Sequence, residues 1–524
     1  MRKLWNICVI AALLALGAAP RAAAQATSTP DNKQAEAKPA AVPESSAPKE
    51  EISTTDHTAK IGGQTIPYKA TVGSILIKND KDEPTALIYY TAYTRSDAKD
   101  MNARPLSFLY NGGPGSASVW LHMGAFGPRR VATPDAAYAP PPPYRLTDNE
   151  NSLLDKTDMV FLDPVGTGFS HAVGKAADKD FWGVDSDVRS LAQFVNIYVT
   201  RNNRWNSPKF LIGESYGTFR SAALGNYLQQ HDTMSINGIA LISSTLDLGQ
   251  LSFLPGDDLS YVLYLPSYAA TAWYHKMLKD RPADLAGFIE ESRKFAAGEY
   301  ATALMKGGAI TDAEKSAIAA KLSRYTGLSE DYLIKADLRV VLPQFMIELQ
   351  RARGLTTGRL DSRFSGPTYD VLGEFAQSDP QSDAISSAFV ATFNDYVRQE
   401  LKFNPTGDRQ YNPLNGGANG VWDWKHQGFG GFGFPGSPNV EGDLVQLMLT
   451  NPHVQIEVEN GYYDLATPFY GSEYTMDHLG LKPDLRKNIQ LKYYDAGHMM
   501  YVRDADLAKL HANIAALIDR ATKQ

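Results

Sequence analysis

Between the apolar run Lys209-Phe210-Leu211-Ile212 and a stretch of helical periodicity stands Gly213-Glu214-Ser215-Tyr216-Gly217. Glycines on both sides of a serine permit a sharp, strained strand-to-helix turn that lifts the hydroxyl off the end of a sheet. The five-residue pattern occurs by chance; its setting is what marks Ser215 as a nucleophile. A serine attacks only when a base takes its proton and a carboxylate orients that base. On such a sheet the partners follow in the order serine, acid, histidine. Downstream, the apolar strand 454–458 leads to Asp464, and the strand 489–494 leads to Asp495-Ala496-Gly497-His498. Asp464 and His498 thus each follow a late strand. His478 precedes the last strand and His511 falls within the final helix. Asp495 is a competing acid, but it shares the loop of His498.

Two further runs complete the set. Asn111-Gly112-Gly113-Pro114-Gly115 follows an apolar strand at 105–110. Its glycines allow close backbone approach and leave N–H groups free for an oxyanion, although such a run alone reads as a tight turn. Asp163-Pro164-Val165-Gly166-Thr167-Gly168-Phe169-Ser170 follows the next strand. It lacks the Gly-Lys-Ser/Thr ending of a phosphate loop, so nucleotide binding is set aside and a place in the pocket wall is expected.

The elements that must position these loops alternate. Residues 65–77 and 85–94 read as antiparallel strands joined by a polar turn at 79–82. Short apolar strands at 105–110, 159–163, 210–213, 239–243, 454–458 and 489–494 then interleave with helical patterns at 181–202, 216–230 and 505–522. That alternation predicts a mainly parallel sheet covered on both faces. Residues 247–435 break it with a mainly helical stretch, in which Thr311 and Glu314 form a capping box and 415–417 and 428–436 mark irregular loops. The expected architecture is an α/β core over 57–246 and 436–524 with the helical stretch inserted as a cap above the ligand-binding edge.

Of 524 residues, 43% are hydrophobic and 21% charged, and the net charge of −7 argues against nucleic acid as a partner. Arg2 and Lys3, an apolar stretch to Ala19 and Ala22-Ala23-Ala24 form the pattern of a signal peptide over 1–24, the other reading being a retained anchor. Export to the periplasm or medium is the expectation, with no membrane insertion after cleavage. Residues 25–56, rich in Ala, Pro, Ser, Glu and Lys, read as a disordered linker. The single cysteine, Cys8, lies in the signal, so disulfides and thiol chemistry are excluded from the mature chain. No spacing suggests a metal site, and no cofactor is expected.

With these segments in order, the chain resembles the serine carboxypeptidases of the carboxypeptidase Y type, over roughly residues 65–521. Asn-Gly-Gly-Pro-Gly, Gly-Glu-Ser-Tyr-Gly, a late aspartate and a final Gly-His are that family's marks, and Gly358-Arg359-Leu360-Asp361-Ser362-Arg363 resembles a run in its bacterial branch. The resemblance implies an α/β-hydrolase fold and removal of residues from peptide C-termini. It implies a triad of Ser215, Asp464 and His498 and an oxyanion hole from the N–H groups of Gly113 and Tyr216. It also implies a set of Asn111, the Gly112 N–H and Glu214 that holds the substrate's terminal carboxylate. Departures from the pattern are Leu109 for a tryptophan, Ser116 for a cysteine, Ala125 for a second glutamate, and Asp163 directly adjacent to Pro164. Alternative readings are an esterase, acyltransferase or hydroxynitrile lyase on the same scaffold, or a silent binding protein. The Asn111/Glu214 pair favours a carboxylate-bearing substrate.

Overall fold

The computed structural model describes residues 48–426 and 438–523. The expected signal segment, the linker up to residue 47 and the glycine run at 428–436, where the expected cap ends, lie outside the described residues.

The sheet starts earlier than composition suggested. Ile52–Ile61 (β1) pairs antiparallel with Gln64–Lys78 (β2) along its whole length, from Ile52 opposite Gly73 to Ile61 opposite Gln64. The linker expected to reach residue 56 therefore gives way to strand by Ile52. β1 is held by ladder bonds and by Ser53 Oγ donating to the Leu401 carbonyl at 2.8 Å, more than by burial of its own side chains. Pro84–Arg95 (β3) pairs antiparallel with β2. In the turn between them, Asn79 Oδ1 accepts the N–H groups of Lys81 and Glu83, both at 3.0 Å, a side-chain mimic of a backbone turn.

The two-residue strand His171–Ala172 also pairs antiparallel with β3, and the remaining strands run parallel to one another. These are Leu106–Tyr110 (β4), Asp158–Leu162 (β5), Lys209–Glu214 (β6), Gly238–Ile242 (β7), Gln455–Gly461 (β8) and Ile489–Tyr494 (β9). The spatial order is β1-β2-β3-β5-β4-β6-β7-β8-β9. Strands β4 to β8 are buried throughout; β4 to β7 are mainly apolar, whereas β8 also buries Glu457 and Glu459. Alternate residues feed opposite cores. Leu109, Phe161, Phe210 and Ile212 join Leu510, Ile514 and Leu517 on one side, and Phe108, Val160, Leu162 and Leu211 join Leu191, Phe194 and Phe219 on the other. The helices supplying these residues are Val184–Arg201 (α1), Tyr216–His231 (α2) and, at the C-terminal end, Asp504–Thr522.

Between β7 and β8 come Leu259–Tyr274 (α3), Leu285–Phe295 (α4), Asp312–Thr326 (α5) and Pro380–Asp395 (α6). α5 opens with the capping box read in the sequence: Glu314 N–H donates to Thr311 Oγ1 at 3.2 Å, and Thr311 N–H to Glu314 Oε2 at 3.0 Å. α3 to α5 pack around a core of their own, including Tyr264, Tyr268, Phe288, Leu322 and Phe345. A small ribbon, Leu355–Thr357 against Ser365–Pro367, brackets the Gly358 to Arg363 run. The loop expected at 415–417 is instead the start of a six-residue helix, Gly416–Val421, because Asn415 Oδ1 caps the Ala418 N–H.

Candidate active site

Ser215 stands between β6 and α2 at φ 60° and ψ −130°, a strained geometry for a residue with a side chain, costing about 1–3 kcal/mol. Neighbours hold it there: its N–H donates to the Ile242 carbonyl at 3.0 Å, and its carbonyl accepts from Thr218 N–H at 2.8 Å. The flanking glycines are required by contact. A Cβ on Gly213 would lie 2.1 Å from the Gly217 carbonyl oxygen, and one on Gly217 would lie 2.9 Å from the Tyr110 oxygen.

The loop after β4 closes on this turn. A Cβ on Gly112 would lie 2.3 Å from the Tyr216 nitrogen, so only glycine brings the two backbones together. Gly113 takes φ +101°. The N–H of Tyr216, first in α2, is one of the orphan donors of a helix start, and the Gly113 N–H has no protein acceptor among the described residues. Both are therefore free to donate to a developing oxyanion.

Asp464 is fully buried and is held by four donors. Its Oδ1 accepts the N–H groups of Ala466 at 2.8 Å and Thr467 at 3.0 Å. Its Oδ2 accepts Thr467 Oγ1 at 2.8 Å and meets His498 Nδ1 at 2.7 Å. The His498 backbone is fixed as well, its N–H donating to the Leu360 carbonyl at 2.7 Å and its carbonyl accepting Ser243 Oγ at 2.7 Å. Burial disfavours a charged imidazole here. The Asp464 charge and hydrogen bond, with help from Glu214, outweigh that and raise the His498 pKa above its ordinary value.

Ser215 and His498 line one cavity of about 310 Å³ with Asn111, Gly112, Gly113 and Glu214. No hydrogen bond joins Ser215 to His498 among the described residues; in empty sites such contacts are often long and tighten with substrate. Asp495 does not reach His498. It is exposed, lies 3.9 Å from Arg503 and faces a different cavity. His478 sits on the surface and His511 pairs with Asp155.

Glu214 is buried and accepts from Asn111 Nδ2 at 2.9 Å. Burial pushes its pKa up to about 7; His498, Tyr501 and Asn111 counter it in part and Asp464 adds to the rise. Tyr501 was not singled out in the sequence. Its buried hydroxyl faces Glu214 and Asn111, and neither that hydroxyl nor Glu214 Oε2 completes a hydrogen bond. Arg220 and Asp187 were missed too. Arg220 is wholly buried, pairs with Asp187 at 2.6 Å, donates to the Asn111 carbonyl at 2.7 Å and lies over the Tyr110 and Tyr216 rings. The available signal was a lone cation within the otherwise uncharged start of α2.

One expectation fails. The run from Asp163 to Ser170 contributes nothing to the lining of this cavity. Asp163 instead accepts the N–H and hydroxyl of Ser118, both at 2.8 Å, and braces the chain that leaves the glycine loop. Ala125 lies buried in the helical turn Leu121–Phe126 and is likewise absent from the lining.

Residues 63–319, just under half of the chain, match a family model described as serine carboxypeptidase. That stretch is similar to the serine carboxypeptidases. Asn111, Glu214 and Ser215 fall inside the match with that family; Asp464 and His498 lie beyond it. The pheromone-processing carboxypeptidase KEX1 of Saccharomyces cerevisiae is 26% identical over 194 residues, 34% of this chain and 25% of the relative. The match thus spans a quarter of the length of that curated relative. A crystal structure of KEX1(delta)p, a prohormone-processing carboxypeptidase from the same yeast, aligns with a TM-score of 0.54 at 17% identity. The alignment covers 85% of this chain and 92% of that one, and it shows a shared α/β-hydrolase fold.

Proposed function

We propose that this chain is an exported serine carboxypeptidase of a bacterial branch, acting through an acyl-enzyme on Ser215. In this reading Ser215 Oγ attacks the carbonyl carbon of the last peptide bond while His498, oriented by Asp464, takes the hydroxyl proton. The carbonyl electron pair moves to oxygen, where the N–H groups of Gly113 and Tyr216 receive it. The pair returns, the C–N bond breaks, and His498 passes its proton to the leaving amine. Water then attacks the ester by the same steps in reverse order of roles, freeing the shortened peptide and Ser215.

The observation that carries the reading is the Asn111–Glu214 pair beside Ser215. A carboxyl that keeps its proton near neutrality donates to a carboxylate instead of repelling it. Esterases and acyltransferases on this scaffold share the triad, and the pair favours a carboxylate-bearing substrate. The test is to offer one peptide as free acid and as C-terminal amide and weigh the products. Stepwise trimming of the acid with slow attack on the amide supports the proposal. Internal cleavage of an end-blocked peptide at a comparable rate overturns it.

A further inference from the structure

The Gly358 to Arg363 run enters the site in a way the reaction above does not use. Its backbone is tied on both sides. The N–H groups of Arg359 and Leu360 donate to Asp379 Oδ2 at 2.6 and 3.1 Å. The Arg359 carbonyl accepts from Leu465, next to Asp464, at 3.0 Å, and the Leu360 carbonyl accepts from His498 at 2.7 Å. Asp379 also caps α6 through the Ser382 N–H at 3.0 Å, and α6 lends Ser382, Ile385, Ser386 and Val390 to the cavity wall. Arg359 is therefore carried at a fixed point between the histidine loop and the helical wall.

Among the described residues the Arg359 side chain holds no ion pair or hydrogen bond, and the residue is exposed while lining the cavity of Ser215 and His498. Arg363, four residues on, is the opposite case: it is buried against Asp361 at 2.6 Å and Asp135 at 2.9 Å. Apart from His498 and Glu214, Arg359 is the one titratable side chain in that lining. The rest of the wall is apolar, with Trp120, Leu360, Ile385, Val390, Leu414 and Met499, or neutral and polar. An unpaired guanidinium facing water costs little, and its planar fork of donors matches a carboxylate in two places. Arg359 makes itself felt on His498, whereas the charges acting most on Glu214 are His498 and Asp464. Its backbone is tied to Leu465 and, through Leu360, to His498, whereas the Asn111–Glu214 pair stands on the β4 loop and the end of β6.

We infer that Arg359 binds the side-chain carboxylate of a substrate aspartate or glutamate beside the scissile bond, so that the cleft prefers acidic peptide ends. The inference rests on the carboxypeptidase reading for the place of the scissile bond. A charge-assisted pair of this kind favours glutamate over its isostere glutamine by about tenfold in kcat/KM.

The experiment uses free-acid peptides that differ only in Glu or Gln at the last or the penultimate position. Wild-type protein is assayed for turnover, and the Ser215→Ala protein for Kd by calorimetry. At one of the two positions the Glu/Gln ratio is expected to be about tenfold in both readouts. Arg359→Gln brings that ratio to about one, Arg359→Lys keeps part of it, and Arg359→Glu reverses it in favour of a lysine peptide. A ratio near one in wild type overturns the inference, as does an Arg359→Gln loss that is equal for the Glu and Gln peptides, which is what a contact to the terminal carboxylate or a structural role produces. If Glu peptides bind with the expected preference but none is hydrolysed, the carboxypeptidase reading falls while the carboxylate site stands.

Discussion

Asn111 Nδ2 donates to Glu214 Oε1 at 2.9 Å while Asn111 Oδ1 accepts the Leu121 N–H at 3.0 Å. The backbone donor fixes which end of the amide is oxygen, so its nitrogen must face the carboxyl. Glu214 is left with one buried oxygen, Oε2, that has no partner. In the proposed reading, that oxygen carries a proton and, with the Asn111 amide, is available to a substrate carboxylate.

Ser215→Ala is expected to lower kcat on any peptide by about a thousandfold or more without unfolding the protein, since one triad member removed costs nearly as much as all. Asp464→Asn should fall steeply too, because His498 Nδ1 loses its acceptor at 2.7 Å. Asp495→Asn, at an exposed carboxyl turned to another cavity, should retain most activity. Rates for the three variants at one pH, with circular dichroism to check folding, decide the assignment. A damaging Asp495→Asn beside a mild Asp464→Asn would reverse it.

What the sequence revealed follows from where its signals come from. Most central strands are buried on both faces and so read as mainly apolar runs, and chain order pointed to Asp464 and His498, which the fold sets 2.7 Å apart. β1 was missed because an edge strand rich in threonine is held by its ladder, which leaves no trace in composition. The place of the Asp163 run was misjudged because a glycine-rich loop after a strand looks alike whether it faces the cavity or props its neighbour. Arg220, Asp187, Tyr501 and Arg359 were illegible as a group. Arg220, Asp187 and Tyr501 face partners distant in the chain, and Arg359 is brought to the cavity by backbone bonds to Asp379 and Leu465, which no local pattern encodes.

The Arg220–Asp187 pair offers a test of stability. Both side chains are buried, and Arg220 also anchors the Asn111 carbonyl at 2.7 Å. Arg220→Met strands the Asp187 charge in the core and is expected to cost about 3–5 kcal/mol. Arg220→Met with Asp187→Leu removes the stranded charge and should recover most of that loss. Urea midpoints with unchanged slopes would show it; a double variant no more stable than the single one would mean that the pair is not energetically isolated.

Tyr501→Phe tests how the Glu214 proton is held. The hydroxyl of Tyr501 favours the ionised carboxylate and so opposes the rise caused by burial. Without it the Glu214 pKa should climb further, and the alkaline decline of kcat/KM on free-acid peptides should move to higher pH. KM should change more than kcat, since the group touches the carboxylate end of the substrate and not the reacting carbon. An unmoved pH profile would assign Tyr501 to packing alone, where its ring presses on Gly124.

The last prediction concerns the pH profile of the whole site. Glu214 must be protonated to donate to a substrate carboxylate, and its pKa of about 7 means that this form is lost as pH rises through neutrality. His498 must be neutral to accept the serine proton, and its raised pKa means that this form is lost as pH falls. Free-acid peptides should therefore give a bell, its alkaline limb falling as pH rises through about 7 and its acid limb set by His498. The bell alone does not say which group holds the proton. Protonated Glu214 with neutral His498 carries the same number of protons as ionised Glu214 with charged His498, so the apparent values belong to the pair. Glu214→Gln separates them: its amide donates at any pH, so the alkaline limb for free-acid peptides should flatten while the acid limb, set by His498, remains. Ester or amide substrates should lack most of the alkaline decline even in wild type. Stability gives an independent readout. A folded-state pKa raised from 4.5 to about 7 contributes stability below the lower value and loses it as pH rises through the upper one, up to about 3 kcal/mol for a buried group. Melting of Ser215→Ala between about pH 5 and pH 8 should show that decline, and Ser215→Ala with Glu214→Gln should lack it. A wild-type rate on free-acid peptides that climbs to a plateau above neutrality, with the same melting trend in both variants, would remove Glu214 from the carboxylate site.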